Sequence, residues 1–269
     1  MPVEHYENFP VASLLLPKAL RSPIEAIYRF ARAADDIADE GDAPPEERLA
    51  GLARFQAEFD RLERGEASEH PVFQPLFPVI TRHRLPVSLF RDLLDAFAQD
   101  VRKKRYANYA ELLDYCRRSA NPVGRLVLGL LGTPDTQWLM ESDAICSALQ
   151  LINFWQDVAL DWQKGRVYLP QDELERFGVT EADIAAARQS EAWRNLIAFQ
   201  TERSRALMLS GAPLGKRLPG RLGWEIRLTV QGGLRILEKI AQADFDVFNH
   251  RPVLKSADWF IIAARALWM

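Results

Sequence analysis

An all-helical fold is predicted by three features of the sequence. Apolar residues recur at steps of three and four along most of the chain. No stretch alternates convincingly at every second residue, and proline- or glycine-bearing breakers separate the periodic stretches. Ser22-Pro23 reads as an N-cap with proline at the first helical position, opening a helix through Tyr28 and Asp35. Leu49, Leu52, Phe55, Phe59 and Leu62 mark the next helix, and Phe90, Leu93, Leu94 and Phe97 a later one. Further helices are expected over about 109–131, 135–159, 192–209, 224–248 and 257–268. Pro44-Pro45, Gly132-Thr133-Pro134, Gly211-Ala212-Pro213, Pro219-Gly220 and Arg251-Pro252 fall between them. Neither an internal repeat nor a Gly/Ser/Pro-rich linker divides the chain, so one domain over 1–269 is expected.

Composition removes several functions. The 34 basic and 37 acidic side chains leave a net charge of -3, whereas phosphate neutralisation on nucleic acid needs a concentrated basic surface. No nucleic-acid partner is expected. Cys116 and Cys146 cannot build a disulfide framework or a four-thiolate site, and they suit a reducing, cytoplasmic setting. The N-terminus shows no targeting pattern. The longest uncharged stretch, Ala144 to Gln156, is well short of the roughly 20 residues that span a bilayer. The apolar, tryptophan-bearing tail over 257–269 could still touch the inner membrane face peripherally.

Two segments carry chemistry. Tyr28, Arg32, Asp35 and Asp39 are spaced by four, three and four residues, which stacks them along one helical stripe with Asp36 beside it. Gln150, Asn153, Asp157 and Asp161, spaced by three, four and four, form a second stripe. That second helix is apolar on nearly every other side, the mark of a buried helix, so its polar stripe is expected to face an internal cavity. A solvated face remains the alternative, most of all for Asp35, Asp36 and Asp39. Energetics favour a ligand: two carboxylates ~6 Å apart repel by about 0.7 kcal/mol in water but about 2.8 kcal/mol at an effective dielectric near 20. Oxygen donors without nearby His or Cys suit magnesium rather than zinc. Magnesium keeps waters and fills its remaining positions with substrate phosphates, so the stripes would clamp a diphosphate. Arg32, Lys164, Arg166 and Tyr168 would help hold it. The histidines form no di-iron pattern, and no dinucleotide fingerprint is present.

The pairing of Asp-Asp-Ile-Ala-Asp at 35–39 with Asn-Phe-Trp-Gln-Asp-Val-Ala-Leu-Asp at 153–161 resembles the two aspartate-rich motifs of squalene and phytoene synthases. Lys-Gly-Arg-Val-Tyr-Leu-Pro at 164–170 resembles the segment that follows the second motif. Tyr115-Cys116 with Gly124 resembles the family's mid-chain tyrosine motif. The resemblance implies a single-domain isoprenoid-synthase helical bundle with a central cavity, dependent on magnesium and acting on prenyl diphosphates. The segments 5–13, 115–124 and 230–239 look most like the bacterial hydroxysqualene synthase branch. For that branch the implied reaction is presqualene diphosphate plus water to hydroxysqualene plus diphosphate, without NADPH. A sister presqualene diphosphate synthase would be a functional associate. Asp35, Asp36, Asp39, Asn153, Asp157 and Asp161 would hold metal. Tyr28, Phe9, Tyr115 and Phe154 could face the carbocation in an apolar cavity.

Two departures from the broader pattern bear on chemistry. Condensing synthases usually carry Val-Ala-Gly where this chain has Ser119-Ala120-Asn121, and often a tyrosine near Gly232-Gly233. An amide at Asn121 and lost bulk at the glycines could admit a water. The rival readings are a condensing synthase making presqualene diphosphate, squalene or phytoene, and a non-catalytic helical scaffold.

Overall fold

The computed structural model describes residues 18–132 and 134–269. Among them the regular structure is helical, with one isolated bridge, Arg105 to Val167, in place of a sheet. The first four helices are α1 (Lys18–Asp39), α2 (Pro45–Glu63), α3 (Phe73–His83) and α4 (Val87–Arg102). Their apolar stripes meet in a phenylalanine cluster. Phe30 of α1 packs at 5.4 to 6.1 Å from Phe55, Phe59, Phe73 and Phe90, mostly edge to face. Such aromatic pairs add about 0.5–1.5 kcal/mol each beyond burial, so this cluster firmly seats α1, which carries the first acidic stripe.

Pro23 lies inside α1 rather than at its start. The expected Ser22 N-cap is therefore wrong. Apolar contacts through Leu20 and Ile24 continue the helix across a residue that lacks an N–H donor, because burial outweighs one lost backbone bond. α3 is absent from the helices expected above, although its buried Phe73, Leu76, Phe77 and Ile80 recur at three- and four-residue steps. It ends in left-handed backbone at Arg84 (φ 52°).

The middle of the chain forms α5 (Tyr109–Ser119), α6 (Asn121–Gly129), α7 (Thr136–Gln156) and α8 (Val158–Gln163). The continuous helix expected over 109–131 breaks at Ala120, just before Asn121-Pro122, because Pro122 has no N–H to bond the Arg118 carbonyl and its ring crowds the preceding turn. The helix expected over 135–159 is interrupted at Asp157 (φ -106°, ψ 13°). The i to i-4 bonds Asp157 N to Asn153 O (2.9 Å) and Asp161 N to Asp157 O (2.8 Å) nevertheless persist. The second acidic stripe therefore runs through a bend.

α7 is sheathed by α5, α6 and two later helices, α11 (Glu191–Gly211) and α13 (Gly220–Gln242). Between α8 and α11 lie the short α9 (Gln171–Phe177) and α10 (Glu181–Ala185). α12 (Leu214–Arg217) precedes α13, and α14 (Ser256–Trp268) closes the described chain. Close approach of α6 to α7 requires Gly124, since a Cβ there would lie 2.3 Å from Ser142 Oγ and 2.7 Å from Cys146 Sγ. Gly233 serves the same end: a Cβ would meet Met208 Cε at 2.7 Å. The space beside this glycine is thus filled by neighbouring side chains rather than left open for a water.

α14 packs on α13 through Asp258, Ile262 and Ala266, and Asp258 bonds Arg235 (2.7 Å) and Lys239 (2.6 Å). Its outward face shows Phe260, Leu267 and Trp268. No described helix is long and apolar enough to cross a membrane.

Candidate active site

The two acidic motifs meet through basic side chains. Asp39, at the end of α1, accepts hydrogen bonds from Lys164 Nζ (2.6 Å) and from Arg166, both in the segment after α8. Residues 125 and 127 positions apart thereby tie the first motif to the loop beyond the second. Within α1, Arg32 pairs with Asp35 (2.9 Å) and Asp36 (2.7 Å). At the bend, Asp157 accepts from Arg251 Nε (2.5 Å) and Nη2 (3.1 Å). The segment around Arg251 is held there by a buried bond from Gln156 Nε2 to Pro252 O (2.6 Å).

The field among these groups is strained toward excess negative charge. Burial raises the Asp35 carboxyl above its ordinary range, opposed by Arg32 and reinforced by Asp39 and Asp36. Burial, and then the Asp157 carboxylate, push Asp161 up to about 7 despite Arg166 and Lys164. Asp39 alone is held below the ordinary value, because bonds from Lys164 and Arg166 outweigh its burial. Burial also pushes Asp100, on α4, up to about 6, and Tyr115 Oη donates to its Oδ2 (2.6 Å).

Beside the charges stands an aromatic wall. Phe154 stacks on Tyr168 at 3.7 Å with an interplanar angle of 9°, and Tyr115 and Tyr106 complete the cluster. A small cavity is lined by Phe154, Val158, Asp161, Arg166 and Tyr168, so apolar and charged groups share one wall.

Most residues singled out in the sequence fall in this region, but their surroundings differ from expectation. Rather than facing an internal cavity throughout, the second stripe is exposed at Asn153 and half-buried at Gln150, Asp157 and Asp161. Tyr168 lies buried among rings rather than beside Lys164. Asn121 is buried, and its Oδ1 accepts from Ser147 Oγ (2.8 Å), a bond that fastens α6 to α7. Tyr28 is half-buried on α1. Phe9, like the rest of the 5–13 segment, lies outside the described residues. Two groups escaped the sequence reading. Arg251 had been seen only as part of an Arg-Pro breaker. Asp100 falls on the buried stripe of Leu89, Leu93 and Ala96, and an acid at such a position is a signal in itself.

Among the described residues no three His, Cys, Asp or Glu side chains converge as a ready metal cage. The donor set nevertheless fits magnesium. It is all oxygen, burial and neighbouring carboxylates raise Asp35 and Asp161, and magnesium needs only one or two carboxylates plus waters and phosphates.

An all-helical bundle that brings two acidic motifs together, each countered by arginine or lysine, is the architecture of an isoprenoid-synthase type of enzyme. The chain belongs to the squalene/phytoene synthase family, whose sequence profile matches residues 3–258. A hydroxysqualene synthase of Sinorhizobium fredii is 35% identical over 240 residues, covering 88% of this chain and 80% of the relative. A hydroxysqualene synthase of Zymomonas mobilis is 37% identical over 224 residues, covering 82% and 74%. The crystal structure of squalene synthase HpnC from Alicyclobacillus acidocaldarius superposes with a TM-score of 0.83 at 40% identity, covering 90% of each chain. These relatives exclude the non-catalytic scaffold: the chain is an enzyme of this family.

Proposed function

We propose that this synthase converts presqualene diphosphate and water to hydroxysqualene and diphosphate. The observation that supports the reading is the pairing of Asp39 with Lys164 and Arg166, two cations of a kind that binds phosphate, drawn from the loop beyond the opposite motif. The names of the curated relatives support the choice of reaction within the family.

Asp35, Asp39, Asn153, Asp157 and Asp161 would hold magnesium, which when bound supplies Lewis-acid neutralisation of the leaving diphosphate. Arg32, Lys164, Arg166 and Arg251 already stand among those carboxylates and would turn to the phosphate oxygens, since guanidinium and ammonium groups bind phosphate strongly. Tyr115, Phe154 and Tyr168 offer ring faces and exclude stray water on the apolar side. Reduction is left to a separate enzyme, so no NADPH is needed. The outward Phe260, Leu267 and Trp268 support contact with a lipid surface, where so apolar a substrate would partition.

Substrate choice tests the reading. With magnesium present, presqualene diphosphate is expected to be consumed, whereas farnesyl diphosphate alone yields no product. Conversion of farnesyl diphosphate would make the chain a condensing synthase instead.

A further inference from the structure

Asp100 is 8% exposed, and the pattern of its two oxygens is unusual. Oδ2 accepts the Tyr115 hydroxyl at 2.6 Å, while the fully covered Oδ1 has no hydrogen-bond partner. Stability alone does not explain a carboxylate here. Burying an ionised group costs several kcal/mol unless its lone pairs are satisfied; a neutral asparagine would accept the same hydroxyl at lower cost, but more weakly and without the negative charge that makes the phenol oxygen electron-rich. The group is also well anchored. Lys104 Nζ bonds the Asp100 backbone carbonyl (2.6 Å), and Tyr106 packs edge-on against Tyr115 at 5.6 Å.

The consequence falls on Tyr115. With its only proton committed to Asp100, the phenol can offer no hydrogen to a ligand, and its oxygen presents lone pairs alone. Tyr115 lies 6.1 Å, ring to ring, from both Phe154 and Tyr168, which line the cavity. We infer that Asp100 is a positioning residue for the ionisation step, holding and polarising the Tyr115 hydroxyl behind Phe154 and Tyr168, the rings that line the cavity. This inference rests on the proposed carbocation chemistry. A fixed dipole with its negative end toward the developing cation stabilises the transition state more than the ground state, because positive charge on carbon exists only after diphosphate begins to leave. No proton or electron leaves the pair during the step.

The test compares wild type, Asp100→Asn, Tyr115→Phe and the double variant with presqualene diphosphate and magnesium, together with thermal unfolding of each. Wild-type turnover comes first; its absence would fail the functional reading itself rather than the role of Asp100. Given turnover, each single variant is expected to lower kcat by about 100-fold with KM changed less than about threefold, the range of one lost preorganised electrostatic contact. The double variant should be no worse than about threefold below the poorer single one, since both act through one hydroxyl. Asp100→Asn should melt at or above the wild-type temperature. Retained kcat in Asp100→Asn, losses that multiply in the double variant, or a variant that does not fold would each overturn the inference.

Discussion

Asp157→Ala is expected to lower turnover at saturating magnesium by at least about a thousandfold, some 4 kcal/mol of transition-state stabilisation. The fold should survive. Asp157 sits at the bend between α7 and α8 and is partnered by the Arg251 side chain rather than by core groups. Backbone bonds bridge the bend on both sides of it, so they do not depend on its carboxylate. Losing one partly exposed ion pair is worth about 1 kcal/mol or less, which moves the unfolding temperature of a chain this long by no more than about 5 °C. Circular dichroism and a turnover assay on the same sample check both halves. Substantial residual activity would count against Asp157 as a metal ligand.

The second large effect concerns how magnesium and diphosphate depend on each other. In the structure four of the five motif carboxylates already have counter-cations: Arg32 serves Asp35 and Asp36, Lys164 and Arg166 serve Asp39, and Arg251 serves Asp157. Magnesium arriving alone would displace these cations and leave them unpaired, and diphosphate alone would confront the carboxylates. Arriving together, they exchange partners, carboxylate to metal and guanidinium to phosphate, and every charge stays compensated. Magnesium with inorganic diphosphate, each at about 100 times its dissociation constant, is therefore expected to stabilise the protein by about 2.7 kcal/mol, seen as a rise of several degrees in unfolding temperature. Either alone should give a small fraction of that shift. Full stabilisation by magnesium alone would show that the carboxylates form a cage without help from the substrate.

How far the sequence announced all this varies by element. The long amphipathic helices were legible because a three-to-four-residue apolar period survives tertiary packing. Phe55, Phe59 and Phe90 were readable as stripe positions before they met Phe30 in one cluster. Boundaries were less legible. Ser22-Pro23 has the chemistry of a helix start, yet burial of Leu20 and Ile24 carries α1 through it. The stripes of Asp35 and Asp39 and of Asp157 and Asp161 were visible from spacing alone. Arg32, Lys164 and Arg166 were legible beside them, but Arg251 was not, because its ion pair with Asp157 spans 94 positions and leaves no periodic trace. The same holds for Asp100 and Tyr115, which belong to separate helices and meet only after α4 and α5 pack. Asn121 shows the reverse: its departure from a family pattern suggested chemistry, and the structure gives it a helix-to-helix bond with Ser147.

The central claim is that this site ionises presqualene diphosphate and lets water, not hydride, capture the cation. Incubation of the protein with presqualene diphosphate and magnesium in oxygen-18 water, without NADPH, followed by mass spectrometry of the lipid product, tests it most directly. The account predicts hydroxysqualene carrying the heavy oxygen at its hydroxyl. An unlabelled alcohol, a hydrocarbon product or unconsumed substrate would contradict it.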